Sequence, residues 1–455
     1  MKLLRSGFKY FTLTFLASSG FFLGSCFHPM APADKAPYRE LKNFSKVLQF
    51  IETQFVDPID VNNLITGAIK GMLQTLDPHS AYLTPEIYKD IREETSGSFG
   101  GLGVQVTIED KILTVIAPIE DSPAYKAGVQ PGDKIYLIND KSTKDLSLPE
   151  ASLLMKGKPG TKIKLGLKRK DGKLLQVVIT REIVSLKSVK SLLLDNHIGY
   201  LRITSFSEKT SRELEDAIEK MTKDKKLIGF LLDLRGNPGG LLDQAVKVGN
   251  FFIDEGPIVY TIGRDKTHKE VENAHKGRKL TDLPLVVLID GSTASASEIV
   301  AGALQDYGRA VIAGQQSFGK GSVQSIISLG DDAGLKLTIA RYYTPSGRSI
   351  QAKGIEPDVI IDNIDENTLK QARSKQKTFR EKDLEGHIIS EDDTKDKSKT
   401  EDKVSSVDLL AFGKSSEDLK TQLDKDYMVT QAIGIVKTMK LAATKPKTIE
   451  FKLQE

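Results

Sequence analysis

Two short, nearly continuous apolar runs, residues 227–234 and 285–290, constrain this fold most, because each leads into a helical stretch. A strand wetted on one face alternates polar and apolar side chains, whereas a strand without alternation has to be covered on both faces. Helices are the usual cover. The span 184–361, with a further strand at 198–203 and helical stretches at 208–221 and 242–252, therefore reads as an α/β domain. A third helix is expected from about Ser295 to Tyr307, directly behind the second apolar run.

Other regions have a different texture. In 39–95, Phe44, Val47, Leu48, Ile51 and Phe55 recur at helical spacing, as do Leu64, Ala68, Ile69, Met72, Leu73 and Leu76. Asp57-Pro58 and Asp77-Pro78 interrupt that pattern, so the span reads as a small helical unit. Residues 97–183 carry short β runs at 104–108, 113–116, 134–138, 162–167 and 175–179, separated by glycine and proline, and form a compact β-rich module. Residues 362–405 are charged and poor in apolar side chains, as a solvated linker is. Within 406–455 a last amphipathic helix is expected near 427–439, where Met428, Ala432, Ile433, Val436 and Met439 share a face. The fold class is thus multidomain α+β.

Residues 1–26 read as an export signal. Lys2, Arg5 and Lys9 precede an uncharged run, 10–23, of about 14 residues, short of the roughly 20 that span a bilayer. The run ends in Leu23-Gly24-Ser25-Cys26, which is similar to a bacterial lipobox and would make Cys26 the lipid-bearing first residue after cleavage. An ordinary signal peptide with an incidental cysteine is the alternative. Either way the protein is expected outside the cytoplasm, in the periplasm or cell envelope, and with a lipid on Cys26 it would be anchored to a membrane. Cys26 is the one cysteine, which excludes an internal disulfide. With 65 basic and 61 acidic residues, net charge is only +4, so no strong field points to nucleic acid. The six histidines lack metal-site spacing, and neither a metal nor another cofactor is expected.

Asp290-Gly291-Ser292-Thr293-Ala294-Ser295-Ala296-Ser297-Glu298 lies where an apolar strand turns into a helix. A serine there sits at the end of a sheet, beside helix N-terminal amides able to stabilise an oxyanion. Serine, threonine and glycine are equally what any helix N-cap prefers, so a base has to be found. Ser317-Phe318-Gly319-Lys320-Gly321-Ser322-Val323-Gln324 offers one. A lysine able to take a proton near neutral pH must be brought down from ~10.4, at a cost of about 4 kcal/mol, which burial can impose. Val323, Ile326, Ile327 and Leu329 suggest a strand heading into the core, on which Lys320, Ser322 and Gln324 point the same way. Gln324 would then orient the neutral amine without adding charge. A surface lysine in a glycine loop is the plain alternative. Asp233-Leu234-Arg235-Gly236-Asn237-Pro238-Gly239-Gly240, behind the other apolar run, offers backbone amides that a carbonyl can approach closely.

Together, these ordered segments resemble the C-terminal processing peptidases, or tail-specific proteases. Their pattern is Asp-Leu-Arg-x-Asn-Pro-Gly-Gly, then an asparagine-led Ser-Ala-Ser-Ala-Ser-Glu stretch, then Gly-Lys-Gly. Gly71-Met72-Leu73 and Leu76-Asp77-Pro78-His79-Ser80 extend the likeness, which covers roughly 40–361. It implies a crotonase-like α/β peptidase domain with Ser295 as nucleophile, Lys320 as base and Gln324 as its partner. An oxyanion hole would come from Ala296 with Gly239 or Gly240. Two departures stand out: Asp290 replaces the usual asparagine, and Thr293 replaces the first serine. Asp290 puts one local hydrogen bond in question.

The resemblance also makes 97–183 a PDZ domain. Gly100-Gly101-Leu102-Gly103-Val104 is similar to a carboxylate-binding loop, and Arg181 occupies the position that links tail binding to catalysis in relatives. Implied partners are proteins with free C-terminal tails, with self-association into a homodimer or an adaptor protein as further options. Two rival functions remain: a catalytically inactive PDZ adaptor of the envelope, and a small-ester or amide hydrolase using His79 or His197.

Overall fold

A computed structural model describes residues 35–362 and 416–444, except Glu120, Asp145 and Asp331, in two units that meet between Leu76 and Asp77. Cys26 with its signal segment, the linker 363–405 and the flanks of the last helices lie outside the described residues. Among the described residues the first unit holds two helices, α1 (Lys35–Gln54) and α2 (Val61–Gln74). Helix α2 starts where the Asp60 side chain accepts the Asn62 N–H at 2.8 Å.

In the second unit the chain first forms β1 (Ala81–Leu83) and α3 (Pro85–Ser96), so a short strand enters what the sequence suggests is a small helical unit. Ala81-Tyr82-Leu83 pairs antiparallel with Lys336-Leu335-Gly334, far along the chain, so a tertiary partner overrides local spacing. The β-rich module follows, with β2 (Ser98–Gly101), β3 (Val104–Glu109), β4 (Ile112–Pro118), α4 (Pro123–Lys126), β5 (Lys134–Ile138), β6 (Lys141–Ser142), α5 (Leu148–Met155), β7 (Lys162–Lys168), β8 (Leu174–Thr180) and β9 (Glu182–Ser185). Its main sheet runs β3-β4-β5-β7-β8, with β6 on β5, while β2 pairs with β9. Leu113, Val115, Ile135, Ile163, Leu165 and Ile179 fill its core.

The α/β part has β10 (Val189–Leu193), β11 (Ile198–Ile203), α6 (Thr210–Thr222), β12 (Gly229–Asp233), α7 (Leu242–Asn250), β13 (Gly256–Ile262), β14 (Lys269–Ala274), β15 (Leu285–Ile289), α8 (Ala296–Asp306), β16 (Val311–Gly314), β17 (Ser322–Gly330), β18 (Ala333–Tyr343) and β19 (Val359–Ile360). The central sheet is β10-β11-β12-β15-β16-β19, parallel from β11 onward, with β10 antiparallel at its edge. On one face Phe230, Leu232, Val287 and Ile289 meet Leu214, Ile218, Ala245, Val248, Ile299 and Val300 of α6, α7 and α8. On the other face Tyr200, Leu231, Val286 and Leu288 are covered from much later in the chain, by α9 (Ser416–Lys425) and α10 (Tyr427–Thr444). Leu423, Met428, Val429, Ala432 and Val436 supply that cover. This two-sided burial is why β12 and β15 show no polar alternation.

Strand β17 departs from expectation. Ile326, Ile327 and Leu329 are 41%, 41% and 53% exposed, so the strand runs outward as half of a hairpin with β18, and only its base at Ser322 and Val323 is packed. Among the described residues no helix is long and apolar enough to cross a membrane.

Candidate active site

Three loops leave the carboxyl ends of neighbouring parallel strands, β12, β15 and β16, where open α/β sheets place their reactive groups. Asp290 ties the first two together. Its Oδ1 accepts the Gly236 N–H at 3.0 Å, the Ser292 N–H at 3.0 Å and the Thr293 hydroxyl at 3.1 Å. All three bonds use Oδ1 as an acceptor, which aspartate supplies as asparagine would. The Thr293 hydroxyl also donates to Leu234 O at 2.9 Å, and the Ala294 N–H reaches Asn237 O at 3.0 Å.

Ser295 follows on a sharp corner. With φ 56° and ψ −116° it occupies backbone space that a non-glycine residue rarely takes, immediately before α8. It is 7% exposed, and its side chain lies against the phenol of Tyr342, which burial pushes up to about 12. Gly239 faces it so closely that a β-carbon there would come within 2.8 Å of Ser295 Cβ and 2.9 Å of Ala296 N. The Gly239 N–H is committed to Asn237 Oδ1 at 2.9 Å, however. Of the two candidate glycines, Gly240 is the one whose amide has no acceptor among the described residues.

One carboxylate joins the serine corner to the lysine loop. Glu298, fully buried in the first turn of α8, accepts the Ser295 N–H at 2.7 Å and the Lys320 N–H at 2.9 Å on Oε2. Its Oε1 accepts the Ser317 hydroxyl at 2.6 Å and the Gly319 N–H at 2.7 Å. Sequence reasoning gave Glu298 no role, although Ser-x-x-Glu at a helix start is the signal for a carboxylate that reaches back to the cap residue. Lys320 is half-buried. Burial pushes its amine below the ordinary lysine range and the Lys336 charge adds to that, while Glu298 works against it. Among the described residues no hydrogen bond joins Lys320 Nζ to Ser295 Oγ. Gln324 donates from Nε2 to Ser322 Oγ at 2.8 Å and to Thr338 Oγ1 at 3.4 Å. The two rival histidines lie in turns: the His79 N–H binds Asp77 Oδ1, and His197 Nδ1 is 3.0 Å from Asp224 Oδ2.

In the β-rich module, β3 is an edge strand joined to β2 by Leu102 and Gly103. Gly100 and Gly101 belong to β2, with Gly100 O accepting the Gly157 N–H at 2.9 Å, and Val104 opens β3. Ala124 N–H donates to Leu102 O and Ile119 N–H to Gly103 O, both at 2.8 Å, which fixes the loop. No acceptor among the described residues takes the N–H of Leu102 or Gly103. Two neighbouring amides without acceptors, at the mouth of an open strand edge, suit a carboxylate. Arg181 is buried instead of lining that loop. It donates to the carbonyls of Leu154 and Met155 at 2.8 and 3.1 Å, closing the end of α5, and to Thr161 Oγ1 at 3.0 Å.

Comparison with known proteins matches residues 197–361 to peptidase family S41, 100–180 to the PDZ domain and 7–87 to the N-terminal domain of the activating protease CtpB. The carboxy-terminal-processing protease of Bartonella bacilliformis is 45% identical over 380 residues, which cover 81% of this chain and 86% of that protein. The carboxy-terminal processing protease CtpA of Bacillus subtilis is 43% identical over 316 residues, 69% of this chain and 67% of its own. A solved photosystem II D1 C-terminal processing protease covers 70% of this chain and 86% of its own at 31% identity, with a TM-score of 0.43.

Proposed function

This chain belongs to the carboxy-terminal-processing serine proteases of peptidase family S41, and on that footing we propose that it cuts exported proteins near their C-termini with Ser295 and Lys320. The observation that carries the reading is Glu298 Oε2, which holds the backbone of both residues at once. Neutral Lys320 takes the Ser295 proton, and Oγ attacks the peptide carbonyl. The amides of Ala296 and Gly240 receive the oxyanion, and Lys320 returns the proton to the departing amine. Water then hydrolyses the acyl-enzyme. Gln324 orients the amine, and no metal or cofactor is assigned a part.

Substrate tails enter through the PDZ module. A terminal carboxylate meets the Leu102 and Gly103 amides while the tail extends along β3, flanked by α5, whose end Arg181 holds. Movement of α5 on tail binding would pass through Arg181 toward the catalytic part. The experiment is cleavage of one peptide with a free and with an amidated C-terminus, products identified by mass spectrometry. One charge-assisted contact is worth about 1.5–3 kcal/mol, so amidation lowers kcat/KM by roughly 10- to 100-fold. Equal cleavage of the two peptides removes tail recognition from the proposal.

Export with a lipid on Cys26 completes the reading. Cys26→Ser then moves the protein from the membrane fraction to the soluble envelope fraction. Unchanged fractionation refutes the anchor and leaves the protease.

A further inference from the structure

A glutamine that serves a catalytic amine has a problem of polarity. The two ends of its amide are nearly identical in shape, yet one end accepts and the other donates. If the carbonyl oxygen faces Lys320, it accepts an N–H and leaves the amine lone pair free for the serine proton. If the NH₂ faces Lys320, it donates into that lone pair and blocks the base.

The surroundings of Gln324 resolve the choice. A register shift between Val323 and Gln324 sets Gln324 directly opposite Thr338 across the β17–β18 hairpin. The Thr338 hydroxyl donates to Asp77 Oδ1 at 3.2 Å. Asp77 is held in place by the N–H groups of His79 and Ser80 on Oδ1, at 2.7 and 2.8 Å, and by the Ser80 hydroxyl on Oδ2 at 2.8 Å. Ser80 Oγ in turn accepts the Thr338 N–H at 3.2 Å, so turn and strand are locked together. Partial burial opposes a charge on Asp77, but the bonds from Ser80, His79 and Thr338 hold its carboxyl below the usual range. A carboxylate has no proton to give, so the single proton of Thr338 goes to Asp77. Thr338 Oγ1 is left with only lone pairs for Gln324. The amide end it faces must be Nε2, as found at 3.4 Å, with Ser322 Oγ as the second acceptor at 2.8 Å.

We propose that Thr338, its proton drawn to Asp77, is a positioning residue that keeps the carbonyl end of Gln324 free for Lys320. The inference rests on the Ser295–Lys320–Gln324 reading above. It also gives a task to the Leu76-Asp77-Pro78-His79-Ser80 segment, which the catalytic reading leaves without one.

The test is a double-mutant cycle on the full chain with a free-tailed peptide. Thr338→Val keeps a β-branched side chain in a strand and leaves Asp77 with its other donors, so the fold persists. The expected result is a fall in kcat of roughly tenfold, the scale of one hydrogen bond, with KM unchanged. Thr338→Ser, which retains the hydroxyl, restores kcat. In a Gln324→Ala background, Thr338→Val has no further effect. If Thr338→Val lowers kcat by the same factor with and without Gln324, Thr338 acts by another route and the proposal is overturned. If Gln324→Ala itself keeps full activity, the role of the glutamine falls first and the relay falls with it.

Discussion

Ser295→Ala and Lys320→Ala each remove peptide-bond cleavage by about 10⁴-fold or more in kcat/KM, while circular dichroism and melting temperature stay those of the parent. Casein or a free-tailed peptide serves as substrate. The first change deletes the attacking oxygen. The second deletes the amine proposed to take its proton, and neither touches the backbone bonds to Glu298. In the parent, a protonated Lys320 has no lone pair to offer. Activity therefore rises with pH through the lysine pKa and levels off below the ordinary ~10.4, because burial and then Lys336 disfavour the charge more than Glu298 favours it. Wild-type rates in Ser295→Ala would refute Ser295 as the nucleophile. A rising limb at the ordinary lysine position would show that burial does not tune this amine.

Glu298→Ala has the second-largest effect, and it strikes fold and chemistry together. It strips the acceptor from the N–H groups of Ser295, Gly319 and Lys320 and from the Ser317 hydroxyl, all gathered on a fully buried carboxylate. Each donor left without a partner costs about 1–3 kcal/mol, so the sum is several kcal/mol out of a typical 5–15. A melting temperature about 10 °C or more below the parent is expected, with activity below detection even where the protein is folded. Glu298→Gln keeps the shape and one accepting oxygen, and its loss falls between the two. A stable, active Glu298→Ala would mean that the serine corner and the lysine loop meet without this carboxylate. Differential scanning calorimetry paired with a single-turnover assay reads both effects.

The strands are legible from residue order, because the apolar runs at β12 and β15 announce strands covered twice. Ser295 is singled out from its neighbouring hydroxyls, and Lys320 and Gln324 from ordinary loop and strand residues, only by the family resemblance. Harder to read was what covers what. Met428, Ala432 and Val436 share a face in any helical projection, yet nothing local says that this face belongs on Leu231 and Val286. For the same reason the apolar side chains of β17 look like core although they end up exposed. Pairing across long stretches of chain leaves no local mark, which hid Asp77 beside Thr338 and the meeting of Glu298 with two loops. Of the two glycines the resemblance offers, nothing local marks Gly239 as the committed one, because its acceptor, the Asn237 side chain, depends on how the loop closes.

The late helices carry a consequence for biosynthesis. Every group named in the chemistry has left the ribosome by residue 361, but the face formed by Tyr200, Leu231, Val286 and Leu288 is still uncovered at that moment. Arg235, beside the candidate oxyanion loop, likewise waits for Asp426, with which it makes paired contacts at 2.8 and 3.2 Å. At about 5–20 residues per second, the remaining stretch to α10 takes on the order of ten seconds. For that interval the sheet is clad on one face only, and the helices that cover the other have still to be made.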